Sequence, residues 1–122
     1  MRNLAVLASG QGTNFEALAL AARLGELGGR IVALLSDEPR APALERARRL
    51  GVAAVLPPAG RYRTRLEDER PWLDALRARG VEVLLLAGFM RRLHATLLDA
   101  FPDRILNVHP SLLPRHRGAA PI

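Results

Sequence analysis

The 122-residue sequence lacks both cysteine and lysine. Without cysteine the chain has no disulfide framework, no thiolate metal site and no thiol nucleophile. All 18 basic residues are arginine, so a Schiff-base lysine and the phosphate-binding lysine of a P-loop are excluded as well.

Long apolar runs are also missing. No stretch approaches the roughly 20 apolar residues that a membrane span needs, and the N-terminus passes directly into the apolar residues 4–7 without the layout of a signal peptide. We therefore expect a cytoplasmic protein with no membrane partner. Hydrophobic residues make up 49% and charged residues 25% of the chain, which is typical of one globular domain and excludes disorder.

The formal net charge is +6, and it has three interpretations. Arginine pairs well with carboxylates and phosphates, which would suit an anionic substrate. A solvated arginine surface is the simpler interpretation. Nucleic acid is not expected as a main partner, because the arginines are spread along the chain and only five aromatic residues are available for stacking on bases.

Short apolar runs alternate with amphipathic stretches, and Gly, Pro, Asp or Ser separate them. The apolar runs predict strands at residues 4–8, 31–35, 52–56, 81–87 and 104–108. Four helices are predicted. The first runs from just after Asn14 to about Leu27 and the second from Pro42 to Leu50. The third contains Leu66, Leu73 and Leu76 and ends at Gly80, and the fourth is at 95–100.

The run at residues 83–87, VLLLA, is apolar on both faces, as in a parallel strand covered by helices on both sides. The predicted fold is therefore α/β, a Rossmann-like, mostly parallel sheet with helices on both faces. The sequence reaches AAPI at 119–122 with no further helix to cover the last strand. We expect residues 1–122 to form one domain whose sheet is incomplete.

Ligands of open α/β sheets bind beyond the carboxyl ends of the strands. Residues 9–14, SGQGTN, follow the first strand, and their glycines permit a tight turn with backbone N–H groups facing an anion such as phosphate. A dinucleotide fingerprint with Asp37 as its acidic residue is a second interpretation, although Phe15 stands where the third glycine is expected. The third is a plain turn with an N-cap at Thr13 or Asn14.

Residues 86–93, LAGFMRRL, leave the buried strand through a glycine and place an apolar pair beside an arginine pair. A flat aromatic ligand with an acidic group would suit this segment. In the alternative interpretation Phe89 and Met90 belong to the core, while Arg91 and Arg92 are solvated.

Asn107 and His109 precede a proline-containing loop with Pro110 and Pro114. Alternation in an extended segment puts the two side chains on the same side. An amide and an imidazole together can stabilise an oxyanion and move a proton, as acyl transfer to an amine requires. A His before a Pro is otherwise only a turn, and His94 and His116 are interpreted as structural. No metal is expected, because the histidines lack further ligands at metal-binding spacing.

Four segments together resemble the formyltransferases that use 10-formyltetrahydrofolate, most closely those that act on glycinamide ribonucleotide in purine biosynthesis. They are SGQGTN at 9–14, LERAR at 44–48, LAGFMR at 86–91 and NVHPSLLP at 107–114. Their order and spacing make the combination specific, and the resemblance extends along essentially the whole chain. It implies that residues 1–122 are the N-terminal part of a formyltransferase catalytic domain.

The resemblance also implies roles for individual residues. Gly12, Thr13 and Asn14 would bind the ribonucleotide phosphate. Asn107 and His109 would be catalytic, in a direct transfer without a metal or a covalent enzyme intermediate, and the family's third catalytic group is an aspartate that would lie beyond Ile122. The folate site would comprise Arg65, Met90, Arg91, Arg92, Leu93 and Asn107. The implied partners are glycinamide ribonucleotide and the reduced folate, with a homodimer as the assembly that the family suggests.

Three alternatives stay open. Residues 115–122 look more like methionyl-tRNA formyltransferase, whereas the SGQGTN loop at 9–14 does not. Formyltetrahydrofolate deformylase is a further relative, but it carries a regulatory domain ahead of this one. A nucleotide-binding module without catalytic activity is the last alternative.

Overall fold

The computed structural model describes residues 1–109, which form a five-stranded sheet with helices on both faces. All strand pairs are parallel, and the strand order is β3-β2-β1-β4-β5. The α/β, Rossmann-like fold predicted from the sequence is confirmed. The strands are β1 Arg2–Leu7, β2 Gly29–Leu35, β3 Ala53–Val55, β4 Val83–Leu86 and β5 Ile105–Asn107, and the helices are α1 Thr13–Arg23, α2 Pro42–Arg49, α3 Arg70–Ala78 and α4 Ala95–Ala100.

The strand order reverses between β1 and β4. The chain builds outward from β1 through β2 to β3, and then returns to the other side of β1 to form β4 and β5. The loops that follow β1 and β4 therefore leave the sheet side by side and turn to opposite faces. Such a switch point opens a crevice at the carboxyl ends of the strands, where ligands of this fold class bind.

Alternate residues of the central strands enter two separate cores. Val6 and Leu85 face α1 and α2, where they pack with Phe15. Leu7 and Leu84 face the opposite side, where α3 and α4 cover the sheet. This two-sided burial explains why these strands read as continuous apolar runs.

Two helix boundaries differ from the predictions. Helix α1 ends at Arg23 instead of about Leu27, because the chain turns at Gly25 with a φ of +77°. Helix α3 begins only at Arg70, with a proline in its first turn. Leu66 lies in the preceding loop and is buried in the core under α3, so its helical spacing reflected burial and not a helix.

Within residues 1–109 no helix combines the length and the apolar character that a bilayer crossing requires.

Candidate active site

The three segments selected from the sequence meet at one edge of the sheet. The backbone N–H of Ala87 donates to the Leu7 carbonyl at 2.9 Å, and that of Val108 donates to the Leu86 carbonyl at 2.9 Å. Farther out, the Ser9 N–H donates to the Gly88 carbonyl at 3.2 Å. These bonds hold the segments after β1, β4 and β5 side by side, as the topology of a parallel sheet requires.

Helix α2 packs against the glycine-rich loop after β1. Gly12 has a φ of +84°, and a Cβ there would lie 2.6 Å from the Cα of Ala43. The Ala43 N–H donates to the Gly10 carbonyl at 3.2 Å, and Nε of Arg46 donates to the Gln11 carbonyl at 2.7 Å. The loop therefore needs glycine at position 12 both for its backbone angle and for the close approach of α2.

Helix α1 begins at Thr13 directly after this loop. Gly12 occupies the N-cap position and no side chain caps the helix, so the predicted N-cap at Thr13 or Asn14 is wrong. The start of a helix has N–H groups without helical partners and a positive partial charge. Glu16 in the first turn would oppose an anion, but Arg46 pairs with its carboxylate.

Two observations count against the dinucleotide interpretation. Phe15 is fully buried in the core between the sheet and the helices α1 and α2, so it does not stand in for a loop glycine. Asp37 is buried in an ion pair with Arg91, and its carboxylate does not face a ribose site. The loop keeps the features of an anion site only.

An open groove of about 410 Å³ lies beside the ends of β4 and β5. Its lining combines apolar side chains with an amide and two arginines, contributed by Leu86, Phe89, Met90, Arg91, Arg92, Leu93, Leu98, Ile105 and Asn107. Five of the six residues selected for a folate site thus line one groove. Arg65 does not line the groove. Its guanidinium lies 4.2 Å from the ring centroid of Tyr62, and its backbone pairs with that of Arg92.

The alternative interpretation of the β4 segment holds for only two of its four residues. Phe89 is half-buried and packs edge-on against Trp72 with ring centroids 5.5 Å apart, and Arg92 is exposed. Met90, by contrast, is 75% exposed and not in the core.

Arg91 is largely buried instead of solvated. Its Nε donates to Oδ2 of Asp37 at 2.8 Å, and Nη1 donates to the carbonyls of Ala59 and Arg65, each at 3.3 Å, and of Tyr62. A guanidinium has five N–H donors in a fixed plane, which suits it to several acceptors at once. The sequence shows both Asp37 and Arg91, but no spacing pattern in it predicts that these two side chains pair.

Asn107 and His109 are both exposed. Val108 between them packs against the core under α1 and α2, whereas Ile105 packs against the opposite core. Asn107 lines the groove on that opposite side, and alternation in an extended chain assigns His109 to the same side. The predicted loop with Pro110 and Pro114, and also His116, lie outside the described residues.

Glu69 is a residue that the sequence analysis missed. It is 7% exposed, and its two carboxylate oxygens accept the N–H groups of His94 at 2.6 Å and Leu97 at 2.9 Å. These N–H groups begin α4, so Glu69 caps a helix 25 residues away in the sequence. Among residues 1–109, the acidic and histidine side chains form no group of three that could hold a metal ion.

The model of the formyl transferase family matches residues 2–122. Phosphoribosylglycinamide formyltransferase of Bacillus subtilis is 36% identical over 118 residues, which cover 97% of this chain and 60% of the relative. The enzyme of that name from Escherichia coli is 35% identical, with 95% and 55% covered.

Among solved structures, glycinamide ribonucleotide transformylase 1 from Symbiobacterium toebii superposes with a TM-score of 0.81 and 43% identity, covering 94% of this chain and 54% of that one. The chain thus spans little more than half the length of the relatives it matches. The family model covers nearly every residue of the chain. The chain therefore belongs to the formyl transferase family.

Proposed function

We propose that the protein transfers the formyl group of 10-formyltetrahydrofolate to the amine of glycinamide ribonucleotide in purine biosynthesis. Residues 1–122 would be the N-terminal part of its catalytic domain. The observation that carries the proposal is the meeting of an anion-binding loop, an apolar groove and the Asn107/His109 segment at one edge of the sheet. The names of the relatives support the same acceptor and the transfer of a formyl group to it.

The loop after β1 would bind the ribonucleotide phosphate. Gly12 has no side chain, so its backbone could approach the phosphate closely. Thr13 and Asn14 begin the helix, and their polar side chains are exposed and half-buried, respectively. Their N–H groups and the helix dipole favour a dianion. Because Arg46 pairs with Glu16, the only acidic residue of that turn repels the phosphate less.

The groove beside β4 and β5 fits a reduced folate in its chemistry. The apolar walls of the groove, suited to a flat ring, are formed by Leu86, Phe89, Leu93 and Ile105. Asn107 supplies an amide. Met90, Arg91, Arg92 and Leu93 would hold the folate, Arg91 through its backbone because its guanidinium is already bonded. Arg65 is exposed beside Arg92, where it would pair with a carboxylate.

Bound folate supplies the formyl group. The amine of the ribonucleotide attacks the formyl carbon, a new C–N bond forms, and the bond from carbon to the folate N10 breaks. The Asn107 amide would donate a hydrogen bond to the formyl oxygen as it gains negative charge. Protonated His109 would donate a second hydrogen bond and pass its proton to the departing nitrogen. The attacking amine loses one proton as the amide forms, and this proton would restore the protonated imidazole.

The deciding experiment incubates the full-length protein with 10-formyltetrahydrofolate and follows folate absorbance with and without glycinamide ribonucleotide. We expect formyl loss only when the ribonucleotide is present. Formyl loss without it would identify a deformylase. In a parallel reaction with methionyl-tRNA as the acceptor, transfer only to that acceptor would identify the tRNA enzyme. Nucleotide binding, measured by calorimetry, without any formyl transfer would favour a binding module.

Arginine pairing supports the proposal that nucleic acid is not a main partner. In residues 1–109 five arginines pair with carboxylates, namely Arg46, Arg48, Arg61, Arg70 and Arg91. Each pair removes a cation from the set available to a polyanion. The homodimer and the cytoplasmic location stay predictions, and sedimentation velocity would measure the first.

A further inference from the structure

We infer that the buried pair of Asp37 and Arg91 positions the folate site by holding two loops together, a role that rests on the proposed function. The β4 loop is residues 88–93, and the rim loop is residues 59–65. Asp37 itself follows β2. A positioning role differs from the direct ligand role that the resemblance implied for Arg91.

The contacts of Arg91 span all three segments. Nε donates to Asp37 at 2.8 Å, while Nη1 donates to carbonyls of the rim loop at Ala59, Tyr62 and Arg65. A single guanidinium thus joins the end of β2, the rim loop and its own β4 loop. No other side chain in the described part of the chain forms as many hydrogen bonds as these four.

Burial makes this contact hard to replace. The side chain of Asp37 is 6% exposed and that of Arg91 is 15% exposed. Oδ1 of Asp37 is buried without a hydrogen-bond partner among the described residues, so the carboxylate depends on Arg91 for its main stabilisation. Removing one member of a buried pair leaves an uncompensated charge.

Neighbouring contacts transmit the constraint to the groove. The Arg92 N–H donates to the Thr64 carbonyl at 2.8 Å, which aligns the β4 loop with the rim loop. Trp72 donates from Nε1 to the Pro58 carbonyl at 2.9 Å and packs on Phe89. Arg91 therefore sets the distance between Arg65 on the rim loop and the groove residues Met90 and Arg92.

The test uses Arg91→Lys and Asp37→Asn in the full-length protein. Lysine keeps the positive charge beside the Asp37 carboxylate, so the Arg91→Lys variant should fold. Lysine cannot, however, reach the carboxylate and the carbonyls of the rim loop together. Amide hydrogen exchange without any ligand reports loop order at the N–H groups of Arg92 and Glu67, which bond to Thr64 and Ala59. We expect both to exchange about 10-fold faster in each variant, while the Ala87 N–H in the sheet stays protected.

Calorimetry supplies the second readout, with 5-formyltetrahydrofolate and glycinamide ribonucleotide as separate probes. Both variants should bind the folate about 10-fold more weakly, with ribonucleotide binding changed by less than about 2-fold. A general loss of stability would weaken both ligands alike. Arg48→Met is the matched control, because Arg48 forms an ion pair with Glu45 that is exposed on both sides, and it should alter neither readout.

The result for Asp37→Asn separates the two roles. Asp37 does not line the groove, so a direct ligand role for Arg91 predicts unchanged loop exchange in this variant. Wild-type exchange and wild-type folate binding in Asp37→Asn would overturn the inference. If the wild-type protein binds neither probe, the proposed function fails, whereas the exchange measurement still decides whether the pair orders the loops.

Discussion

The hydroxyl of Ser9 accepts a hydrogen bond from the backbone N–H of Met90 at 2.9 Å. Ser9 lies in the loop proposed to bind phosphate, and Met90 lies in the β4 loop proposed to bind folate. The Ser9 N–H also donates to the Gly88 carbonyl, so one residue contacts the second loop twice. This contact links the two proposed substrate sites directly.

Ser9→Ala should loosen that link. The Met90 N–H loses its acceptor, and because the site is exposed we expect the free energy of unfolding to fall by only about 1 kcal/mol. Hydrogen exchange at Met90 should accelerate. Ser9→Thr retains the hydroxyl and should restore the slow exchange; equal exchange in all three proteins would mean that the hydroxyl does not order the loop.

Gly12→Ala should destabilise the protein more than Gly25→Ala does. Both glycines have positive φ, +84° and +77°, so the backbone penalty is shared. Only at Gly12 would the new Cβ meet another atom, at 2.6 Å from the Cα of Ala43. Chemical denaturation should give a difference of about 1–3 kcal/mol, and equal losses would rule out the close approach of α2.

The catalytic proposal predicts different losses from two substitutions. His109→Ala should lower kcat by about 10²–10⁴-fold, because a proton donor is removed. Asn107→Ala should lower it by about 10²–10³-fold, because one donor to the oxyanion is removed. His116→Ala serves as the control and should change the rate little; a comparable loss there would mean that the wrong histidine was chosen.

Glu69→Ala should destabilise α4. The substitution removes the acceptor of two N–H groups, those of His94 and Leu97, and should lower the free energy of unfolding by about 1–3 kcal/mol. Glu82→Ala is a suitable comparison, since Glu82 accepts the Asn3 N–H in an exposed position. A thermal or chemical unfolding series in which Glu82→Ala costs as much would contradict the capping role.

Asp68 provides a pH-dependent test. The hydrogen bonds that its carboxylate accepts from Arg70 lower the pKa of Asp68 to about 2. A lowered pKa in the folded protein stabilises the fold above the ordinary value of 3.8, and this contribution is lost as the pH falls toward 2. NMR titration should give the low pKa, and Arg70→Met should raise it toward 3.8, while Arg77→Met should leave it at about 2.

The strands and the site segments were predictable because their signals are local. Two-sided burial gave residues 83–87 an unbroken apolar run, and a glycine marked the end of three helices and the start of two loops. The end of α1 and the start of α3 were predicted wrongly. Leu66 lies in a loop and is buried, but its spacing from Leu73 and Leu76 is also that of a helix. Spacing alone cannot distinguish a buried leucine of a loop from one of a helix.

The sequence by itself determined the order of elements, the parallel sheet and the edge at which the three segments meet. Apolar periodicity and turn residues act between near neighbours, and a parallel sheet then brings its strand ends together. Only the tertiary structure decided what Arg91 and Glu69 do. Arg91 reaches Asp37 across 54 positions and Glu69 reaches His94 across 25, and pairs so distant leave no periodic trace. Burial selects these partners, because a charge removed from water must find its counterpart wherever the fold has placed it.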